Sequence, residues 1–237
     1  KRDIPYRIFG GLSFYQRKEI KDVLAYLRLV VNDKDEESLK RIINYPSRGI
    51  GQTTIDKIII ASKNHNITLF EVITRAEKLN LKINSGTLIK LNNFSSLIKR
   101  FQIENEKMNA FEITDLIIKN IGFVQELKKD ATPEGVSRIE NVEELLNGIR
   151  DFTEGQKEIV EAIGSLDEFL QDIALVTDID TKENDTNIDR VSLMTIHLAK
   201  GLEFPYVFIS GLEEDLFPSA MSMNTRSELE EERRLFY

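Results

Sequence analysis

The chain has 237 residues, 41% hydrophobic and 30% charged, enough for one large domain or two ordinary ones around a real core. It has no Cys and only His65 and His197, which excludes disulfides and thiolate metal sites and leaves no His-based metal cluster to expect. A net charge of −8 argues against indiscriminate coating of DNA, and no apolar run approaches the ~20 residues of a membrane span, so the expected setting is a reducing cytoplasm with no membrane partner.

Tyr6-Arg7-Ile8-Phe9 is a short β-type run closed by Gly10-Gly11, a flexible pair placed to act as a hinge. Ile20, Val23, Leu24, Leu27, Val30 and Val31 then keep the i, i+3, i+4 spacing of a strong helix that ends at Asn32-Asp33-Lys34-Asp35. Leu39, Ile42 and Ile43 predict a shorter helix stopping before Pro46. After the loop Pro46 to Gly51, a third helix is expected with Thr53 as its N-cap and Ile55, Ile58 and Ile59 inside. Capping boxes at Thr68-x-x-Glu71 and Ser165-x-x-Glu168 predict two further helix starts. Between them Leu116, Ile117, Phe123, Ile139, Val142, Leu145 and Leu146 keep helical spacing. Residues 177–190 open with the polar, acidic and aperiodic run Thr177 to Asp185 and read as a linker. Strand character returns at Val191 to Ile196 and again at Tyr206 to Ser210, and Glu228 to Tyr237 has the pattern of an amphipathic helix. Strand material at both ends with helices between predicts a helical insertion in an α/β domain.

Two places carry chemistry. In Arg48-Gly49-Ile50-Gly51, two glycines around one apolar residue let the backbone turn tightly and gather amide N–H groups at a helix start, where they bind phosphate. Between short helices this is a helix-hairpin-helix pattern, whose contacts go to backbone phosphates and read no sequence. Arg48 and Thr53 are placed to add side-chain donors. The second is the polar knot after Val191–Ile196, with His197, Lys200, Gly201 and Glu203 where open α/β sheets hold nucleotides. There Glu203 suits ribose hydroxyls and His197 a nucleic-acid strand. No Gly-x-x-x-x-Gly-Lys-Ser/Thr occurs, so the sequence holds no cradle for a triphosphate with Mg2+. Residues 1–60 carry twelve Lys/Arg against eight Asp/Glu, and residues 200–237 four against eight. A basic front and an acidic back suit a protein that meets phosphate on one surface.

In chain order, Ile4 to Gly11, Phe14-Tyr15-x-Arg17-Lys18-Glu19, Pro46 to Gly51 with Thr54, Arg138 to Leu145, Leu193 to Pro205, Glu213 to Pro218 and Glu230 to Tyr237 together resemble the UvrD/Rep/PcrA family of DNA helicases. The resemblance implies α/β plus all-α architecture: a partial second RecA-like (P-loop NTPase type) domain, 1–11 and 186–237, interrupted by a mainly helical insertion, 12–185, with a helix-hairpin-helix element. It implies a role in ATP-dependent 3′–5′ unwinding of duplex DNA, in a bacterial, nucleoid-associated cytoplasmic enzyme that uses ATP and Mg2+. It assigns Glu203 and Gly201 to the nucleotide, Thr195 and His197 to the single strand, and Arg48, Gly49, Ile50, Gly51 and Thr54 to duplex backbone at a single-strand/duplex junction. It places the Walker motifs in a first RecA-like domain before Lys1 and the motif VI arginine beyond Tyr237, so the chain alone is expected to bind no nucleotide and to be inactive. The alternative is a stand-alone, non-catalytic duplex-binding or regulatory module.

Overall fold

The computed structural model describes residues 6–8, 14–160, 164–182 and 190–213, with 226, 229, 230, 233 and 234. The chain divides into two compact units, Ser13–Glu183 and a second built from Lys1–Leu12 with Asn184–Tyr237.

The Ser13–Glu183 unit is helical. A single 3-10 turn (Phe14–Gln16) leads into α1 (Lys18–Val31), followed by α2 (Glu36–Ile42), α3 (Gln52–His65), α4 (Leu69–Thr74), α5 (Ser85–Asn105), α6 (Ala110–Asn120), α7 (Phe123–Leu127), α8 (Pro133–Val160) and α9 (Leu166–Lys182). Helix α1 is the hub. Ile20, Val23, Leu24, Ala25, Tyr26, Leu27, Leu29 and Val30 are all buried, so apolar residues cover more than one stripe, as in a helix enclosed by its neighbours. Those neighbours are α2, α5, α6, α8 and α9. Helix α5 presents Leu91, Phe94, Ile98 and Phe101 to the core, and α8 presents Val142, Leu145 and Ile149, each at helical spacing.

Short polar side chains start these helices by taking amides that lack an intrahelical acceptor. Asp35 accepts from the Ser38 N–H at 2.9 Å and Asn84 from the Thr87 N–H at 2.7 Å. The reciprocal boxes expected at Thr68/Glu71 and Ser165/Glu168 both form. A third, Asn109/Glu112, uses Asn in the Ser/Thr position. Helix α9 runs to Lys182, so residues 177–182, expected as linker, continue a helix nucleated at the Ser165 box; propagation costs far less than nucleation. Residues 183–189 of that expected linker lie outside the described residues.

The second unit contains β1 (Tyr6–Ile8), β2 (Val191–Leu193) and a short helix α10 (Ile196–Ala199). The strands pair in parallel, Tyr6 with Val191, Arg7 with Ser192 and Ile8 with Leu193. The second strand expected after the polar knot does not form: Tyr206 to Ser210 has no strand pairing among the described residues. A strand needs a ladder partner as well as β-type composition. Gly10 and Gly11 lie outside the described residues, as does most of the Glu228–Tyr237 run, where Arg233 pairs with Glu230 at 2.8 Å.

The burial pattern separates positions that look alike in composition. Phe101→Ala, at a fully buried site of α5, is expected to cost about 3–5 kcal/mol. Ile103→Ser, two residues on and 56% exposed, is expected to stay within about 0.5 kcal/mol. Urea unfolding of both variants checks this; equal losses would mean that the core-facing side of α5 is misassigned.

Candidate nucleic-acid interface

The loop between α2 and α3 is built from the inside outward. Asn44 folds its side chain into the turn, its Oδ1 accepting the backbone N–H groups of Arg48 at 3.0 Å and Ile50 at 2.9 Å. Ile50 is buried and pins the loop to the core. Gly49 adopts φ +67°, a left-handed conformation that costs glycine little and other residues more. The chain then enters α3 two residues earlier than the sequence suggested: Gly51, not Thr53, precedes the first helical residue, and its carbonyl accepts the Thr54 N–H at 3.0 Å and the Ile55 N–H at 3.3 Å. The left-handed Gly49 makes this early start possible.

Arg48 points inward. Its Nη1 donates to the carbonyls of Ile42 at 2.9 Å, Tyr45 at 3.1 Å and Pro46 at 3.2 Å. Its Nη2 donates to the Tyr26 hydroxyl. The guanidinium carbon lies 5.2 Å from the Phe94 ring centroid and 5.8 Å from that of Tyr26, within cation–π range. Ile42 is the last residue of α2, where the helix dipole favours a cation, and Tyr45 and Pro46 lie in the connection that follows it. The side chain that the sequence offered as a phosphate donor is therefore a brace of the loop.

What faces outward is backbone. The N–H groups of Gly51, Gln52 and Thr53 have no acceptor among the described residues. Gly51 has an ordinary φ of −81°, and a Cβ there would meet nothing within 4 Å. Neither conformation nor crowding within the chain calls for glycine at that position. Thr53 is exposed beside it, while Thr54 is buried beneath the turn. The first turn of α3 contains no acidic residue. Together these groups form a small, uncharged donor surface suited to an anionic oxygen.

The second candidate place belongs to the other unit. Thr195 stands between β2 and α10, and its carbonyl accepts the Ala199 N–H at 3.1 Å. His197 falls within α10. Gly201 takes φ +82° with open space around it, which turns the chain after the helix. Glu203 follows, exposed. Leu193, Thr195, His197, Gly201 and Glu203 thus follow one strand end within a short span. Of Glu213 to Pro218, only Glu213 is among the described residues.

Sequence reasoning missed three residues. Asn44 carried a usable signal, since an Asn just before a Gly-containing loop commonly bonds to nearby amides. Asn141 clamps the start of α1 to α8, accepting from Arg17 and donating to Glu19 Oε1 at 2.6 Å; nothing in local spacing marks it. Tyr26 looked like one more core position of α1, yet its hydroxyl donates to the Tyr45 carbonyl at 2.5 Å and accepts from Arg48.

Burial raises the Tyr26 hydroxyl to about 12, against the opposing pull of Arg48. The folded chain thus holds this proton more tightly than the unfolded chain, whose value is the ordinary 10.0. The stability it contributes is present below the unfolded value and lost as the pH rises through the folded one. Tyr26→Phe is expected to cost about 1–2 kcal/mol at neutral pH, because Arg48 Nη2 loses its acceptor. It should also flatten the loss of stability between the two values. Urea unfolding across that alkaline range, variant against parent, reads the difference; parallel curves would refute the bond's role.

The whole chain, residues 1–237, matches the UvrD-like helicase C-terminal domain. It is 39% identical over 241 residues to the ATP-dependent DNA helicase PcrA of Staphylococcus aureus and 37% identical to that of Bacillus subtilis, covering 100% of this chain in both cases. It is 41% identical to DNA helicase II of Salmonella typhimurium over 235 residues, 99% of this chain. The chain spans 32% of the length of each of these relatives. This chain belongs to the UvrD-like helicase C-terminal domain family.

Proposed function

We propose that the chain works within an ATP-dependent 3′–5′ DNA helicase, holding duplex backbone with one unit and coupling nucleotide to single strand with the other. Its names among relatives, ATP-dependent DNA helicase PcrA and DNA helicase II, support the reaction class. The division at Leu12/Ser13 and Glu183/Asn184 supports reading the helical unit as an insertion in a RecA-like domain.

The observation that carries the duplex assignment is Gly51. A glycine with ordinary φ and empty surroundings, carrying the first of three open amides, fits a site that something else approaches closely. In this helix-hairpin-helix, the amides of Gly51 to Thr53 take a phosphate oxygen. Gly49 makes the turn, and Arg48, Ile50 and Thr54 form its framework from within. A grip through amides on phosphate positions duplex without reading its sequence, as unwinding of arbitrary DNA requires. In the other unit, Thr195 and His197 meet the single strand beside a junction, and Gly201 with Glu203 forms the ribose edge of a nucleotide cleft. Gly10 and Gly11 serve as the hinge between the units.

The nucleotide itself fits only in part. Glu203 is exposed and beside a left-handed glycine, suitable for ribose hydroxyls, but the sequence has no phosphate loop and the described residues hold no acidic or His cluster for a metal. No phosphoryl step is therefore assigned to these residues. The opposite wall belongs to a first RecA-like domain of the same polypeptide, and the exposed apolar residues Val191, Leu193, Tyr206 and Phe208 suit a surface that such a domain covers.

Gly51→Ala separates binding from folding. At its φ, alanine should leave stability unchanged or raise it by about 0.4–1 kcal/mol, while a methyl group over the amides weakens duplex affinity by about tenfold, the worth of one charge-assisted bond. Fluorescence anisotropy with a tailed hairpin DNA, alongside thermal melting, reads both. Unchanged affinity removes the hairpin from the interface; loss with Gly51→Ala but not with His197→Ala favours a duplex-binding module in which the β2–α10 turn is structural. The chain on its own should show no DNA-stimulated ATP hydrolysis, and phosphate release above background would refute the division of the nucleotide site.

A further inference from the structure

With Arg48 committed inward, the outer face of the hairpin lacks the cation that a phosphate grip needs. The structure supplies one from elsewhere in the chain. Lys90, in the second turn of α5, reaches across so that its Nζ donates to the Gly49 carbonyl at 3.2 Å, while its side chain remains exposed. A Cβ on Gly49 would stand 2.6 Å from that Nζ, so the glycine that turns the loop also leaves room for the ammonium. An ammonium carries three donors, and only one is used here. Lys90 has no carboxylate partner among the described residues. The first turns of α3 and α5 contain no acidic residue to compete for it. The Cα atoms of Gly49 and Gly51 are at most about 7 Å apart, so the ammonium stands one side-chain swing from the open amides.

We propose that Lys90 is the phosphate-contacting cation of the hairpin: it leaves or shares the Gly49 carbonyl to bond the same duplex phosphate that sits on the amides of Gly51 to Thr53. This rests on the reading of the hairpin as a duplex-backbone grip. The chain then splits between two residues what one arginine would do in a simpler loop. Arg48 holds the turn, and Lys90 supplies the charge.

Counterion release distinguishes a phosphate contact from a structural one. The full chain and its Lys90→Gln, Lys90→Arg, Lys119→Gln and Gly51→Ala variants are titrated with a short duplex across a series of NaCl concentrations, with thermal melting of each. Lys119, exposed on α6 and paired with Asp115, removes an equal charge away from the loop. Lys90→Gln should weaken binding by about 3–10-fold and lower the slope of log affinity against log salt by about 0.9, with an unchanged melting temperature. Lys90→Arg should restore both, and Lys119→Gln should change neither. If Gly51→Ala weakens binding but Lys90→Gln keeps affinity and slope, the hairpin grips DNA without Lys90 and this assignment falls alone. If neither variant changes binding, or the parent chain does not bind duplex, the hairpin reading falls and Lys90 with it. An equal drop for Lys119→Gln reduces the effect to net charge, and a fall in melting temperature that tracks affinity makes Lys90 a brace; either result overturns the proposal.

Discussion

A guanidinium that turns its back on solvent organises the helical unit. Arg48 gathers the carbonyls of Ile42, Tyr45 and Pro46 and the hydroxyl of Tyr26, over the face of Phe94. Taking a charge out of water is costly unless it is bonded and compensated. Here the compensation comes from carbonyl dipoles of Ile42 and the α2–α3 connection and from two aromatic faces, with no carboxylate among the bonded partners. Arginine suits this because its planar fork donates in several fixed directions at once and keeps its charge. A lysine could fill the charge but not the geometry. The bond set joins α1, the α2–α3 connection and α5 at one point, so the conformation of the loop is tied to the core of the helical unit.

That inward commitment has an outward consequence. Once the side chains of Asn44, Arg48 and Ile50 are spent on holding the turn, the groups left for a ligand are main-chain amides, which are alike in every residue and rigidly placed. Such a surface offers an anion fixed donors without a charge of its own. Its rigidity lowers the ordering cost of binding, and its lack of base-reaching side chains keeps it indifferent to sequence. Lys90 differs from Arg48 in being exposed and held by one hydrogen bond, where the arginine is held by several.

Much of this architecture was legible because it depends on local pattern. The burial of Ile20, Val23, Leu24 and Leu27 follows from their spacing, and the helix starts at Thr68 and Ser165 follow from three-residue boxes with an evident partner for each amide. The direction of Arg48 was not legible. The same Arg-Gly-x-Gly string fits an arginine pointing to either side, and what decides it is Tyr26 and Phe94, residues far off in sequence that the string cannot name. Lys90 was hidden for the same reason. Thr53 was misplaced as a cap because the left-handed turn at Gly49 starts the helix earlier than polar composition suggests. Tyr206 to Ser210 has strand composition without a strand partner among the described residues; β-propensity describes fit to a neighbouring surface more than an intrinsic backbone choice.

The pairing of β1 with β2 constrains the chain more than its three-residue length suggests. Two antiparallel strands can be joined by a tight turn, but parallel strands require a crossover that returns the chain to the starting end of the sheet. Here the register couples Tyr6 to Val191 and Ile8 to Leu193, so the entire helical unit is that crossover. It follows that the helical unit falls, in sequence, between two paired strands rather than before or after them. One of those strands, β2, runs directly into Thr195, α10, Gly201 and Glu203. The chain order thus places these residues immediately after the strand that closes the crossover.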